Sequence, residues 1–146
     1  MRMDNWNNWN NNFSRVIEAF NLNSNSVCID IGANTGQELE LLLPLGVEVH
    51  SFEPHPTLAK LIKERFESYD NLFFNECAAW IKNENKTFFH KRDPSSDALN
   101  DAGSTLIKSK TNISGKWSVN VQCIDISEYV LSLKKQIDVM KIDAEG

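Results

Sequence analysis

Short apolar runs alternate along the chain with amphipathic stretches and polar turns, which is the pattern of an α/β protein. The apolar run at residues 27–31, broken only by Asp30, is typical of a parallel strand buried on both faces, and further strands are predicted at residues 47–52 and 137–142. Apolar positions at helical spacing lie between these runs, as at Leu39, Leu42 and Leu43. The pattern predicts a Rossmann-like sheet with helices on both faces.

The middle of the chain interrupts the parallel pattern. Residues 72–80 predict one further strand and its exit, and residues 87–90 predict a strand that runs back and forms a small antiparallel insertion. No periodicity holds over the long loop at residues 92–114, which is either a substrate wall or a solvated insertion. Alternation returns at residues 117–123 and predicts a half-buried strand.

The residues before the first apolar run, 1–26, predict a lead-in helix followed by a polar turn. Aromatic and aliphatic side chains share one face of this helix, namely Trp6, Trp9, Phe13, Val16, Ile17 and Phe20. A stripe of this kind is interpreted as core contact, because a helix at this place has a sheet to pack against.

Length and charge limit the classes of function. A chain of 146 residues with 41% hydrophobic content predicts a single domain over residues 1–146. The net charge of −5 disfavours binding to nucleic acid or anionic membrane, so we expect a small-molecule ligand. The chain shows neither a membrane-spanning run nor a secretory signal pattern, which predicts a cytoplasmic protein. Cys28, Cys77 and Cys123 lie in predicted strands and favour buried thiols, with no metal bound by cysteine.

A glycine turn follows the first predicted strand. Gly32 and Gly36 allow a tight turn with close backbone approach, and Thr35 with Glu38 has the spacing of a capping box that begins a helix. Taken alone, such a turn is interpreted equally well as an ordinary connection that binds nothing.

The acid at the end of the second predicted strand changes that balance. Glu53 lies 21 residues after Gly32, the separation at which a strand-terminal acid meets ribose hydroxyls in nucleoside sites. A solvated edge residue is the alternative interpretation of Glu53, but two matched features in register favour a nucleoside site.

The residues of the turn indicate which nucleoside is bound. A dinucleotide site requires a second glycine near the pyrophosphate, and Asn34 stands at that place. Asp30 would repel a diphosphate and would favour a cationic ligand, which describes S-adenosylmethionine. The sequence therefore favours this methyl donor over NAD(P), although an NAD(P)-dependent Rossmann oxidoreductase stays an alternative.

Four segments also resemble, in order, the signatures of the FkbM-type methyltransferases, a class I S-adenosylmethionine-dependent family. They are residues 30–36 (DIGANTG), 52–54 (FEP), 78–80 (AAW) and 137–146 (IDVMKIDAEG). The resemblance implies a seven-stranded sheet and O-methylation of a sugar, polyketide, peptide or similar small molecule. It also implies that Asp30, Gly32, Ala33, Asn34 and Gly36 surround the methionine part of the donor, while residues 76–79, including Glu76 and Ala78, lie beside the adenine.

The chain departs from this family at its end. Family members continue past the Glu145-Gly146 position with further strands, so the resemblance implies a partial methyltransferase domain, incomplete on its C-terminal side. We expect such a chain to self-associate or to need a complementing chain, because an uncovered central strand favours association. A non-catalytic nucleoside-binding fragment is therefore a further alternative.

Asp143 is the candidate catalytic residue. It follows the last predicted strand at the ligand edge, where its carboxylate could accept the proton of an acceptor hydroxyl. A carboxylate paired with Lys141, or a helix cap, is an equally good interpretation, and the role of Lys141 stays open. No metal site is predicted.

Overall fold

The computed structural model describes residues 12–91, 93, 104–108 and 117–144 of the chain. In chain order the elements are α1 (which includes residues 12–19), β1 (Val27–Ile31), α2 (Gln37–Leu42) with a 3-10 turn at Leu43–Leu45, β2 (Glu48–Phe52), α3 (Pro56–Arg65), β3 (Leu72–Asn75), β4 (Ala78–Trp80), β5 (Glu84–Phe89), β6 (Ser118–Asp125), α4 (Ile126–Leu133) and β7 (Val139–Ile142).

The central sheet has the strand order β3-β2-β1-β7, and all its pairings are parallel. The chain builds outward from β1 through β2 to β3 and then returns to pair β7 with the other side of β1. This reversal leaves a crevice at the carboxyl ends of β1 and β7, where doubly wound sheets bind their ligands. The predicted Rossmann-like α/β architecture is confirmed.

A second sheet has the order β4-β6-β5, with β4 parallel and β5 antiparallel to β6. The single strand predicted for residues 72–80 is wrong, because β3 and β4 belong to different sheets. The chain turns between them, where the N–H of Cys77 donates to the carbonyl of Asn75 at 2.9 Å. The seven described strands are thus divided into four and three, whereas the family resemblance implied one sheet of seven.

Helices cover both faces of the central sheet. On one face α2 and α3 pack against the β1 and β2 side chains Cys28 and Val49, and Phe13 of α1 joins this core. On the other face α4 covers Ile29, Ile31 and Phe52.

The lead-in helix predicted within residues 1–26 is confirmed at residues 12–19. Residues 12–19 are helical and Phe13 is buried, but Phe20, which follows the helix, is 62% exposed. Trp6 and Trp9 lie outside the described residues, as does most of the loop predicted at residues 92–114.

The predicted capping box at the start of α2 is wrong. Gly36, with φ of 85°, occupies the N-cap position, and no side chain caps the helix. Glu38 is only 2% exposed and extends toward Lys141, with 3.6 Å between Oε2 and Nζ. A carboxylate drawn into this buried ion pair does not cap its own helix.

Cys28, Cys77 and Cys123 are all buried free thiols, as the sequence predicted. Burial, with a smaller contribution from Asp138, raises the pKa of Cys28 to about 12. Within the described parts of the chain, no helix has the length and apolar character needed to cross a membrane.

Candidate functional site

A cavity of about 440 Å³ opens at the carboxyl edge of the central sheet. The ends of β1, β2 and β7 form one side, and the second sheet with the first turns of α3 and α4 forms the other. Its lining includes Gly32, Asn34, Phe52, Glu53, His55, Cys77, Ala78, Trp80, Phe88, Leu106, Ile126 and Asp143. The cavity therefore lies where the strand order reverses, as the topology predicts.

The glycine turn between β1 and α2 approaches the end of β7 closely. Gly32 has φ of 82°, and a Cβ atom there would overlap the carbonyl oxygen of Asp143. Asn34 also has positive φ, at 53°. Only glycine fits the first of these positions without moving β7.

The amides of this turn donate within the protein. Those of Gly32 and Ala33 donate to the carbonyl of Phe52 at 2.9 and 3.1 Å, and that of Gly36 donates to Ala33 at 2.8 Å. The amide of Asn34 donates to Oε2 of Glu53 at 2.8 Å. These four donors are thus not directed at an anion in the cavity, in contrast to a pyrophosphate-binding turn.

Glu53 is the buried acid of the cavity, with 6% of its surface exposed. Oε2 accepts from Asn34, and Oε1 accepts from the N–H of His55 at 2.8 Å. Burial outweighs these two bonds and raises the pKa of Glu53 to about 7. Each carboxylate oxygen has a further acceptor site, so the group can also bind ligand hydroxyls.

Asp30 does not line the cavity. It is 1% exposed, accepts from the hydroxyl of Ser51 at 3.2 Å and lies 3.1 Å from Nζ of Lys141. Burial raises the pKa of Asp30, while Lys141 opposes this shift. Because a cation of the protein already faces this carboxylate, Asp30 does not by itself favour a cationic ligand, contrary to the prediction.

An apolar wall forms part of the cavity lining. Phe52, Cys77, Ala78 and Ile126 contribute to it, and the ring of Tyr129 packs edge-on against Phe52 with 5.0 Å between centroids. Burial raises the pKa of Cys77 to about 11, so this side chain is a neutral thiol. A flat heteroaromatic ring suits such a surface.

Three of the other residues predicted to bind the donor lie away from the cavity. Ala33 is fully buried, and Gly36 packs so closely on the ring of Phe66 that a Cβ atom would lie 2.5 Å from it. Glu76 forms an ion pair with Lys63. The structure thus brings Gly32, Asn34, Glu53 and Ala78 together around the cavity, and ligand contacts stay predictions for all predicted site residues.

Asp143 lies at the mouth of the cavity. Its N–H donates to the carbonyl of Ile31 at 3.0 Å, which extends the pairing of β1 with β7, and its exposed side chain is part of the lining. This position is compatible with contact to an acceptor.

His55 also lines the cavity, although no motif in the sequence predicted a role for it. Nδ1 of His55 accepts from the N–H of Thr57 at 3.2 Å and caps α3, and its ring meets that of His90 with 4.6 Å between centroids. Since Nδ1 accepts a backbone N–H, this bond places the ring proton on Nε2. A signal was available, because His55 stands between two prolines directly after the strand-terminal acid.

Comparison with known families finds one match that covers most of the chain. The family model described as the methyltransferase FkbM domain matches residues 30–146. A comparison with curated proteins gives no significant match. The family match includes the glycine turn, Glu53 and the end of β7.

Proposed function

The chain belongs to the FkbM methyltransferase family, and from this premise we propose that it transfers a methyl group from S-adenosylmethionine to a hydroxyl oxygen of a small molecule. The observation that carries the proposal is one cavity lined by the buried carboxylate of Glu53, by the apolar wall and by the glycine turn. A nucleoside needs both surfaces, because its ribose is polar and its base is flat and apolar on its faces.

The described residues fit this donor better than a dinucleotide. Glu53 would hold the ribose hydroxyls, and Cys77 and Ala78 would lie against the adenine. Gly32 and Asn34 would face the methionine part. Four amides of the turn donate inside the protein and are therefore not hydrogen-bond donors for a pyrophosphate. This disfavours the oxidoreductase alternative.

The residues of the chain would act by placement and by proton transfer. When bound, S-adenosylmethionine supplies a methyl group on a positively charged sulfur. The carboxylate of Asp143 would accept the proton that the acceptor hydroxyl loses when its oxygen is methylated. Holding the two reactants in line and excluding water would supply most of the rate.

Ligand binding tests the choice of nucleoside. We expect the chain to bind S-adenosylhomocysteine more tightly than NADH in equilibrium dialysis. Glu53 and the apolar wall serve both nucleosides, but four amides of the turn already donate within the protein and are not directed at a pyrophosphate. Tighter binding of NADH would contradict the proposal. Methyl transfer to a panel of hydroxyl compounds then tests the reaction itself.

Donor binding is expected to strengthen as the pH rises. The pKa of Glu53 in the free protein is raised to about 7, and the ionised form accepts ribose hydroxyls better than the acid does. Between about pH 6 and about pH 8, affinity for S-adenosylhomocysteine should therefore increase about tenfold. Isothermal titration calorimetry measures this, and Glu53→Gln should remove most of the dependence.

The stability of the ligand-free protein is expected to change in the opposite direction. Because the folded pKa of Glu53 lies above its ordinary value, its protonation favours the folded state. That contribution is complete below the unfolded pKa and is lost as the pH rises through about 7. Urea unfolding of the wild type and of Glu53→Gln across this range would reveal it, and a parallel pH profile for both proteins would contradict it.

A further inference from the structure

The ammonium group of Lys141 lies beneath the glycine turn. Lys141 stands on β7 directly opposite Asp30 of β1, and its Nζ is 3.1 Å from Oδ1 of Asp30 and 3.6 Å from Oε2 of Glu38. Nζ also donates to the carbonyl of Gly32 at 2.7 Å. One side chain, 11% exposed, thus links β7 to β1, to α2 and to the turn.

The charge on Lys141 is maintained in spite of its burial. Burial by itself would lower the pKa of the lysine, but the nearby carboxylates of Asp30 and Glu38 outweigh it and raise that pKa. Asp143 adds a smaller contribution in the same direction. The group is therefore an ammonium ion at neutral pH, and its bond to the Gly32 carbonyl is charge-assisted.

The contacts of Lys141 fix one peptide unit of the turn. The peptide between Gly32 and Ala33 is held at its oxygen by Lys141 and at its nitrogen by the carbonyl of Phe52, at 2.7 and 3.1 Å. A peptide unit next to a glycine with positive φ has more than one accessible orientation. The bond from Lys141 therefore restricts this peptide to one orientation, and with it the backbone of Gly32, which lines the cavity.

We propose that Lys141 is a positioning residue, which fixes the backbone of the glycine turn at Gly32, where the amino-acid end of the methyl donor would lie. This inference rests on the proposed function. It assigns a role to a side chain that does not itself line the cavity, and it accounts for the placement of a lysine on an otherwise apolar strand.

The inference is tested with two nucleosides that differ only at the end in question. S-adenosylhomocysteine carries the amino-acid end, whereas 5′-methylthioadenosine lacks it and keeps the ribose and adenine. In Lys141→Met, the dissociation constant of S-adenosylhomocysteine should increase at least about tenfold, while that of 5′-methylthioadenosine should stay within about twofold. Calorimetry on both ligands measures the split.

Two further variants control for charge and for folding. Lys135→Met removes another ion-paired lysine, whose partner is Glu48 on the far side of the central sheet from α2, and it should leave both constants unchanged. Lys141→Arg keeps a positive charge for Asp30 and Glu38 but places a planar group beneath the turn. Lys141→Arg should show a smaller loss of affinity, again only for S-adenosylhomocysteine. It replaces Lys141→Met as the test variant if Lys141→Met does not fold.

The results that would overturn the role of Lys141 differ from the result that would overturn the proposed function. Equal weakening of both ligands would show a general structural role and would overturn the inference, as would unchanged binding. Tighter binding of S-adenosylhomocysteine by Lys141→Met would show instead that the lysine occupies the place of the ligand ammonium. If the wild type binds neither nucleoside, the proposed function itself is overturned, and a loss confined to the Lys141 variants cannot imitate that result.

Discussion

Gly32→Ala is expected to destabilise the protein by about 3–5 kcal/mol and to abolish donor binding. The backbone at Gly32 has φ of 82°, where a side chain costs about 1–2 kcal/mol by itself. The new Cβ atom would also overlap the carbonyl oxygen of Asp143, so β7 would have to move away from β1. The free energy of unfolding in urea and the affinity for S-adenosylhomocysteine measure the two effects.

Gly46→Ala is the matched control for this prediction. Gly46 has nearly the same φ, 78°, but a Cβ atom there would meet only Ser24, with its Cβ at 3.0 Å and its Cα at 3.5 Å. Its cost should therefore stay near the conformational term of about 1–2 kcal/mol, with donor binding unchanged. Equal losses for the two variants would show that contact between the turn and β7 contributes nothing.

The position of the candidate site could be predicted because its signals are local in sequence. The strand, the glycine turn and the acid at Glu53 follow one another within one β-α-β unit, so their spacing alone fixes which sheet edge they share. The structure confirms that Gly32, Asn34 and Glu53 line one cavity.

The partner of Asp30 could not be predicted in the same way. Lys141 lies more than 100 residues further along the chain, and its approach to Asp30 depends on the pairing of β7 with β1. The same long-range contact explains why the capping box failed, since Glu38 extends toward that lysine and not toward its own helix end. Spacing within a segment contains no information on such pairings.

The division between β3 and β4 was missed for a different reason. Residues 72–80 are apolar enough for one continuous strand, but only four of them, Leu72–Asn75, pair with β2. Ala78–Trp80 pair instead with β6, a strand that the sequence places about 40 residues later. Apolar content indicates burial, and it does not indicate which sheet buries a strand.

Glu53→Ala is expected to weaken binding of S-adenosylhomocysteine by about 1.5–3 kcal/mol, which is about 10- to 150-fold. The carboxylate would hold ribose hydroxyls through charge-assisted bonds, and it also accepts from the amides of Asn34 and His55. Its removal therefore deletes the ribose contacts and leaves two amides beside the cavity without their acceptor. Calorimetry at about pH 8, where the wild-type carboxylate is ionised, gives the largest difference.

Glu53→Gln separates the two parts of this loss. The amide side chain has the same shape and retains one acceptor oxygen, so it should weaken binding less than alanine does. Glu64→Ala, which removes an exposed carboxylate paired with Lys60 on α3, should leave binding unchanged. An unaltered dissociation constant in Glu53→Ala would remove Glu53 from the site, because a buried carboxylate at the ribose cannot be lost without a measurable decrease in affinity.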